Sequence, residues 1–324
     1  MNSVLEKFPL FADLSTDERG EILAMARPFV FDQGHTIFRQ GDRADGMYLI
    51  EDGCVRISAR LPDEGEVQLS ILGAGDVLGE FALIDGRERS ATALATEQSH
   101  GLFLSGRHFE VLRSELRPAA FKTMRRITRE LVQRLQLLDR DIDANSAPST
   151  IDPLPPWVRG PSEVLGAPFP TANLNRAVLR VLPFFRSLTE EELEELLAAL
   201  GGWEVPRGQI LFRQGSSGTS SFLIVRGAIQ VALEKSGGFE KVAVLGPGRL
   251  LGVSFIEGGR RTETCYVREN AILLEIGEEH FARWFEGTSS IAFKFHGAIN
   301  EDLVALLRAS DRRLGRLSAL QRLK

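Results

Sequence analysis

The sequence predicts a mainly β fold with flanking α-helices: two tandem jelly-roll domains, each followed by a long helix. Three observations carry that prediction. Between Pro28 and about Leu104 the chain is a series of short apolar runs, among them Thr36-Ile37-Phe38, Met47-Tyr48-Leu49-Ile50 and Val55-Arg56-Ile57-Ser58, punctuated by Gly34, Gly41, Gly46, Gly53 and Gly65. Many short strands broken by turn residues are the pattern of a small all-β barrel or jelly roll. Three blocks of this half then return at one offset of 174 residues: Phe8-Pro9-Leu10-Phe11 as Leu182-Pro183-Phe184-Phe185, Phe38-Arg39-Gln40-Gly41 as Phe212-Arg213-Gln214-Gly215, and Met47 to Gly53 as Ser221 to Gly227. An unchanged offset over three blocks marks an internal repeat. Last, helical spacing follows each β-rich stretch. Phe121, Met124, Ile127, Leu131, Leu135 and Leu138 form one stripe, and Leu303, Leu306, Leu307, Leu314 and Leu317 mark a second helix starting around Ala292.

Taken in order, Phe8-Pro9-Leu10-Phe11 leads into Ser15-Thr16-Asp17-Glu18, a capping box that opens a short helix carrying Ile22, Leu23 and Met25. Asp63-Glu64-Gly65-Glu66 reads as a hairpin tip, and Gly73-Ala74-Gly75-Asp76 as a turn. After Gly106 the helical stripe begins; steps of three and four suit packing on its own barrel and pairing with another helix alike. Arg125-Arg126-Ile127-Thr128 spells a basophilic kinase site, for which a solvated helix face is the simpler reading. The stretch 143–174 holds Pro148, Pro153, Pro155, Pro156, Pro161, Pro168 and Pro170, half of the 14 prolines. It fits neither a helix nor a central strand. As a flexible chain it reaches ~30 Å. Trp157 and Val158 within it have two readings, docking on a domain surface or simple exposure. The domains expected are therefore 1–142, a Pro-rich linker at 143–174, and 175–324.

Composition sets bounds. A chain of 324 residues suits two domains, and a net charge of −5 argues against a globally nucleic-acid-seeking surface. The two cysteines, Cys54 and Cys265, exclude a disulfide framework and fit a reducing compartment. The five histidines have no metal-ligand spacing, and no Ser/His/Asp or Cys/His constellation points to catalysis; no metal, cofactor or catalytic residue is expected. No leader or apolar span is found, which makes a cytoplasmic location the expectation.

The chemistry concentrates in Gly79-Glu80-Phe81-Ala82-Leu83-Ile84-Asp85-Gly86-Arg87-Glu88-Arg89-Ser90-Ala91. Backbone N–H groups of a short helix near Phe81 would face an anion, Arg89 offers a planar fork of donors, and Ser90 adds a hydroxyl. Small Ala91 lets a ligand approach the main chain, and the Glu80 carboxylate accepts from a sugar hydroxyl. Together these parts suit a small phosphate ester.

Gly79-Glu80-Phe81-Ala82-Leu83, with eight residues between Glu80 and Arg89, then Arg89-Ser90-Ala91 resembles the phosphate-binding cassette of cyclic-nucleotide-binding domains, the family of the catabolite activator protein and of the regulatory subunits of cyclic-AMP-dependent kinase. Upstream, Phe38 to Asp42 and Met47 to Gly53 resemble that family's first strands and turn. The resemblance covers almost the whole chain because it occurs twice. It implies cyclic AMP or cyclic GMP as ligand, with Arg89 on the cyclic phosphate, Glu80 on the ribose 2′-hydroxyl, and Gly79, Phe81, Ala82, Ser90 and Ala91 completing the cassette. It also implies that the following helix closes over the base, with Thr128, Leu131 and Arg134 as candidates for that contact.

The second cassette runs from Gly252 to Cys265, with Arg261-Thr262 matching Arg89-Ser90 after one deletion. Val253 replaces Glu80 and cannot accept a bond, and Glu263 replaces Ala91, adding bulk and negative charge beside the phosphate position. The second domain is therefore expected to be degenerate, with Gly252, Ser254, Arg261 and Thr262 as weaker candidates and Ser254 or Glu257 as rescuers of a re-registered loop.

Three functions follow. The first is a non-catalytic cyclic-nucleotide receptor acting on an unidentified effector protein. The second is a ligand-independent interaction or assembly module with vestigial pockets. The third, of least weight, is nucleic-acid binding through Arg308, Arg312, Arg313, Arg316, Arg322 and Lys324. The helix stripes pair either within one chain or between two in a homodimer; no helix-turn-helix, kinase, cyclase or phosphodiesterase signature is found.

Overall fold

In the computed structural model, residues 4–61, 65–84, 86, 88–145, 152–153, 155–158, 165–235, 238–256 and 259–322 are described, with side chains as far as Leu138 in the first long helix and Ser310 in the last. Asp63, Glu64, Asp85, Arg87, Glu257, Lys324, Pro148 and Pro161 lie outside the described residues. So do the side chains of Arg312, Arg313, Leu314, Arg316, Leu317 and Arg322. The chain divides into two compact units, Met1–Ile127 and Thr128–Lys324.

The first unit opens with α1 (Thr16–Met25), started by the capping box: Glu18 N–H donates to Ser15 Oγ and Ser15 N–H to Glu18. Eight strands follow: β1 (Ala26–Phe31), β2 (Thr36–Phe38), β3 (Gly46–Asp52), β4 (Val55–Leu61), β5 (Gly65–Leu72), β6 (Val77–Leu78), β7 (Thr92–Ala95) and β8 (Ser99–Ser105). They form two antiparallel four-stranded sheets, ordered β1-β8-β3-β6 and β2-β7-β4-β5. Alternation places Val55, Ile57 and Ala59 of β4 and Ala93 of β7 in one buried cluster with Ile50, Leu78 and Ala91. Helix α2 (Gly106–Ser114) ends where Leu116 takes φ 54° and Arg117 N–H bonds back to Leu112 O at 2.9 Å. Pro118 then opens α3 (Pro118–Asn145), a position that needs no N–H donor. Lys122 of α3 pairs with Glu18 of α1 at 2.8 Å.

The second unit repeats the plan. Helix α4 (Arg176–Val181) precedes α5 (Glu190–Ala199), whose Thr189–Glu192 capping box stands 174 residues after the first. The strands are β9 (Ala167–Pro168), β10 (Gly201–Val205), β11 (Ile210–Phe212), β12 (Ser221–Lys235), β13 (Gly238–Leu245), β14 (Leu250–Leu251) and β15 (Thr264–Ile276). Their path is β13-β12-β15-β10-β9, with β11 on β15 and β14 on β12. The long strands β12 and β15 each correspond to two strands of the first barrel. Helices α6 (Glu278–Glu286) and α7 (Ser290–Arg322) complete it, and Lys294 pairs with Glu192 at 2.6 Å.

Trp157 and Val158 are docked on the second barrel. Trp157 packs edge-on to Tyr266, ring centroids 6.0 Å apart, under the Arg207 guanidinium at 4.2 Å from its ring. Val158 is buried with Ile210, Ala232, Phe239 and Tyr266. Asp152 bridges to Phe239 and pairs with Lys241 at 2.9 Å, and β9 adds to the β10 edge, where Pro168 is tolerated.

The Thr128–Asn145 part of α3 belongs to the second unit. Thr128 Oγ1 donates to Asn300 Oδ1 at 2.7 Å, both side chains being fully buried, and Arg129 pairs with Glu286 at 3.6 Å. The solvated face expected for Arg125-Arg126-Ile127-Thr128 is corrected: Thr128 and Ile127 are buried and the two arginines half-buried, with the Thr128 hydroxyl bonded to Asn300. Cys54 is half-buried, whereas Cys265 is fully buried; burial and the nearby Glu263 charge push the Cys265 thiol well up, against the opposing Arg261. Among the described residues no helix is long and apolar enough to cross a membrane, and no cluster of metal-binding side chains occurs.

Candidate functional site

The first cassette joins β6 to β7. Gly79 takes φ 78°, in the left-handed region, and a Cβ there would strike the Arg89 guanidinium. A short 3-10 helix, Glu80–Leu83, follows, with Ala82 N–H bonded to Gly79 O at 3.0 Å; the helix expected near Phe81 is this turn. Arg89 is only 5% exposed. Its Nη1 donates to Gly79 O at 3.2 Å, its Nη2 to Asp45 Oδ1 at 2.7 Å, and its Cζ lies 4.2 Å from the centre of the Phe38 ring. Arg89 N–H donates to Asp42 O at 2.7 Å and Gly41 N–H to Arg89 O at 3.0 Å, which fixes the backbone below the side chain. The buried Nε has no hydrogen-bond partner in this arrangement. Ala91 is buried in the barrel core and Ala82 beneath the turn; Glu80 and Phe81 are half-buried and Ser90 is exposed. Burial pushes the Tyr48 phenol up, with Asp45 adding to the shift and Arg89 opposing it.

The second cassette reproduces the scaffold. Gly252 takes φ 77°, Arg261 is 4% exposed, and its Cζ sits 4.3 Å from the Phe212 ring. Nη1 donates to Gly252 O and Nη2 to Ser220 O, and Arg261 N–H reaches Ser216 O at 2.9 Å. Where Arg89 meets the Asp45 carboxylate, Arg261 meets a carbonyl. Burial lowers the Arg261 pKa, against the neighbouring Glu263 charge. Val253 and Ser254 are buried, and Ser254 Oγ accepts from Thr262 N–H at 3.3 Å. Thr262 Oγ1 donates to Glu263, so both hydroxyls of this cassette are engaged within it.

A family model described as the cyclic nucleotide-binding domain matches residues 28–115 and 203–287, together more than half of the chain. The chain belongs to the cyclic-nucleotide-binding domain family. The match covers both barrels, so the tandem arrangement and the jelly-roll class both stand. Similar proteins include the cAMP-dependent protein kinase type II regulatory subunit of Drosophila melanogaster, 40% identical over 94 residues, 29% of this chain and 24% of that one. The cyclic AMP receptor protein of Thermus thermophilus is 33% identical over 135 residues, 42% of this chain and 61% of that one. The chain thus spans less than two thirds of either relative. A solved regulatory domain of Toxoplasma gondii PKA with cAMP aligns over 90% of this chain and 92% of its own, at 16% identity and TM-score 0.33.

In this member of the family, Gly79, Glu80, Phe81 and Ala82 lie on the short helical turn, and Arg89, Ser90 and Ala91 lead into β7. Of the helix candidates, Thr128 gives its hydroxyl to Asn300, Leu131 is buried and Arg134 exposed. Sequence reasoning passed over Asp45, Phe38 and Asp302. Phe38 had a signal, since an aromatic precedes Arg-Gln-Gly in both copies; Asp45 had none, because Thr219 stands at its offset.

Proposed function

We propose that the first domain is a non-catalytic receptor for cyclic AMP or cyclic GMP. Arg89 pairs with the cyclic phosphate, Glu80 accepts the ribose 2′-hydroxyl, and Gly79, Phe81, Ala82, Ser90 and Ala91 shape the cradle. One observation carries this reading: the Arg89 guanidinium, buried with an unbonded Nε–H as Arg261 is, shares its cassette with the Glu80 carboxylate, where the second cassette has Val253. A buried donor without a partner costs about 1–3 kcal/mol, and a phosphate oxygen would recover it. The matching family and the kinase regulatory relatives support the same ligand class. Ligand favours one state of α3 by its differential affinity, typically ~1–3 kcal/mol of coupling, and that state controls a separate protein. Calorimetric titration of the full chain with cyclic AMP and with cyclic GMP tests it. One site per chain, lost in Glu80→Ala and Arg89→Ala, is the expected result. No heat and no ligand-dependent rise in Tm would refute the receptor and favour an assembly module.

A further inference from the structure

We infer that the pocket of the second barrel is filled by the chain's own helices, so that the second domain is a nucleotide-independent receptor for α7 and the Thr128–Asn145 part of α3. The inference concerns the second unit alone and stands whether or not the first domain binds nucleotide.

The space inside the second cassette is about 10 Å³. That is room for about one water, against ~300 Å³ or more for a ligand pocket. Its walls come from the cassette (Val253, Glu263), from α7 (Asp302, Leu303, Leu306) and from α3 (Leu135). Asp302, 6% exposed, accepts from Leu250 N–H at 2.5 Å and pairs with Arg249 at 2.5 Å. A helix carboxylate thus clamps the strand that leads directly into Gly252.

The repeat sets the second copy apart at the positions that make this closure. The offset falls to 173 at Gly79/Gly252 and to 172 from Arg89/Arg261 through the long helices, as Phe121-Lys122 against Phe293-Lys294 shows. By that register Arg249 and Asp302 stand where the first copy has Asp76 and Glu130. Two acids there lack the ion pair that an arginine and an acid supply. Leu306 likewise replaces the exposed Arg134, turning a polar helix position into a plug. Glu263 replaces Ala91 and sets a fixed negative charge in the field of Arg261, the charge a cyclic phosphate would otherwise bring. With Asp302, it gives the pocket two carboxyl groups in its lining.

Hydrogen exchange on the full chain tests this without any nucleotide. Leu250 and Leu251 amides are expected to be protected in the wild type, and to exchange about tenfold or more faster in Asp302→Ala, with Asp302→Asn, which keeps the volume and an acceptor oxygen, at least as protected as the wild type. Adding millimolar cyclic AMP or cyclic GMP should leave exchange across 249–263 unchanged. Fast exchange at Leu250 in the nucleotide-free wild type would overturn the inference, and so would protection of 249–263 by either nucleotide. Should Asp302→Ala not fold, wild-type exchange with and without nucleotide decides it. A second calorimetric site that survives Arg89→Ala would also overturn it, whereas silence at the first site would not.

Discussion

Acidification should stabilise the second unit, and Asp302 should be the reason. Burial pushes the Asp302 carboxyl up to about 7, with Glu301 adding to the shift and with Arg249 and the Leu250 N–H pulling it down without prevailing. In the unfolded chain the same group titrates near ~4. At pH 8 the carboxyl is ionised in both states and the folded unit carries the desolvation cost. At pH 5.5 the folded group holds a proton and the unfolded one does not, so folding is favoured by proton uptake. Each pH unit below about 7 adds ~1.4 kcal/mol, about 2 kcal/mol at pH 5.5. At ~2–4 °C per kcal/mol for a unit of this size, Tm rises by about 4–8 °C from pH 8 to pH 5.5. Differential scanning calorimetry of wild type and Asp302→Asn across that range isolates the group. The variant has no group to titrate at this position, so its lead over the wild type should be level above about pH 7 and shrink by about 2 kcal/mol between pH 8 and pH 5.5. Parallel curves for the two proteins would show that Asp302 is ionised in the fold at all these values and refute the reasoning.

Other expectations follow from the same geometry. Arg89→Ala removes one member of a buried charge contact, worth ~2–5 kcal/mol, so nucleotide affinity should fall by tens- to thousands-fold in calorimetry; unchanged affinity would dismiss the site. Gly79→Ala forces φ 78° on a residue with a Cβ aimed at Arg89, and should lower both Tm and affinity, with strain of ~1–3 kcal/mol. Trp157→Ala loses the Tyr266 and Arg207 contacts and should speed proteolysis between 145 and 165, whereas an unchanged cleavage rate would mean the docked tryptophan holds nothing down. Burial raises the Glu192 pKa, but hydrogen bonds from Lys294, Ser290 and the Thr189 backbone outweigh it and hold the carboxyl at about 2. Its contribution is present above ~4.3 and lost as pH falls toward 2, so Glu192→Gln and wild-type stabilities should converge in acid. A constant gap between them would exclude that carboxylate.

Local chemistry was readable in the sequence, and three-dimensional partnership was not. The capping box at Ser15, the alternation in Val55 to Ala59 and the 174-residue offset each rest on near neighbours or on self-similarity, and each appears in the fold. Arg89 and Gly79 were legible because the cassette spacing is contiguous. Asp45 is 44 residues from Arg89, and nothing in its own surroundings marks it as the guanidinium's partner. Thr128 carried a misleading local signal: two arginines before a hydroxyl read as a surface, while Asn300, 172 residues away, buries it. The Arg249/Asp302 clamp was latent in the comparison of copies, where two charges change together, but only the fold places Asp302 against Leu250.

The aromatic and thiol content is divided in a way that separates the two halves optically. Trp157, Trp203 and Trp284 all lie beyond Thr128, while the half-buried Cys54 lies in the first barrel and Cys265 is sealed in the second. Intrinsic tryptophan emission therefore reports the second unit alone, and a thiol-reactive dye placed on Cys54 reports the first. Without any substitution, a change in dye signal on adding cyclic nucleotide would report on the first barrel, and a simultaneous change in tryptophan emission on the second.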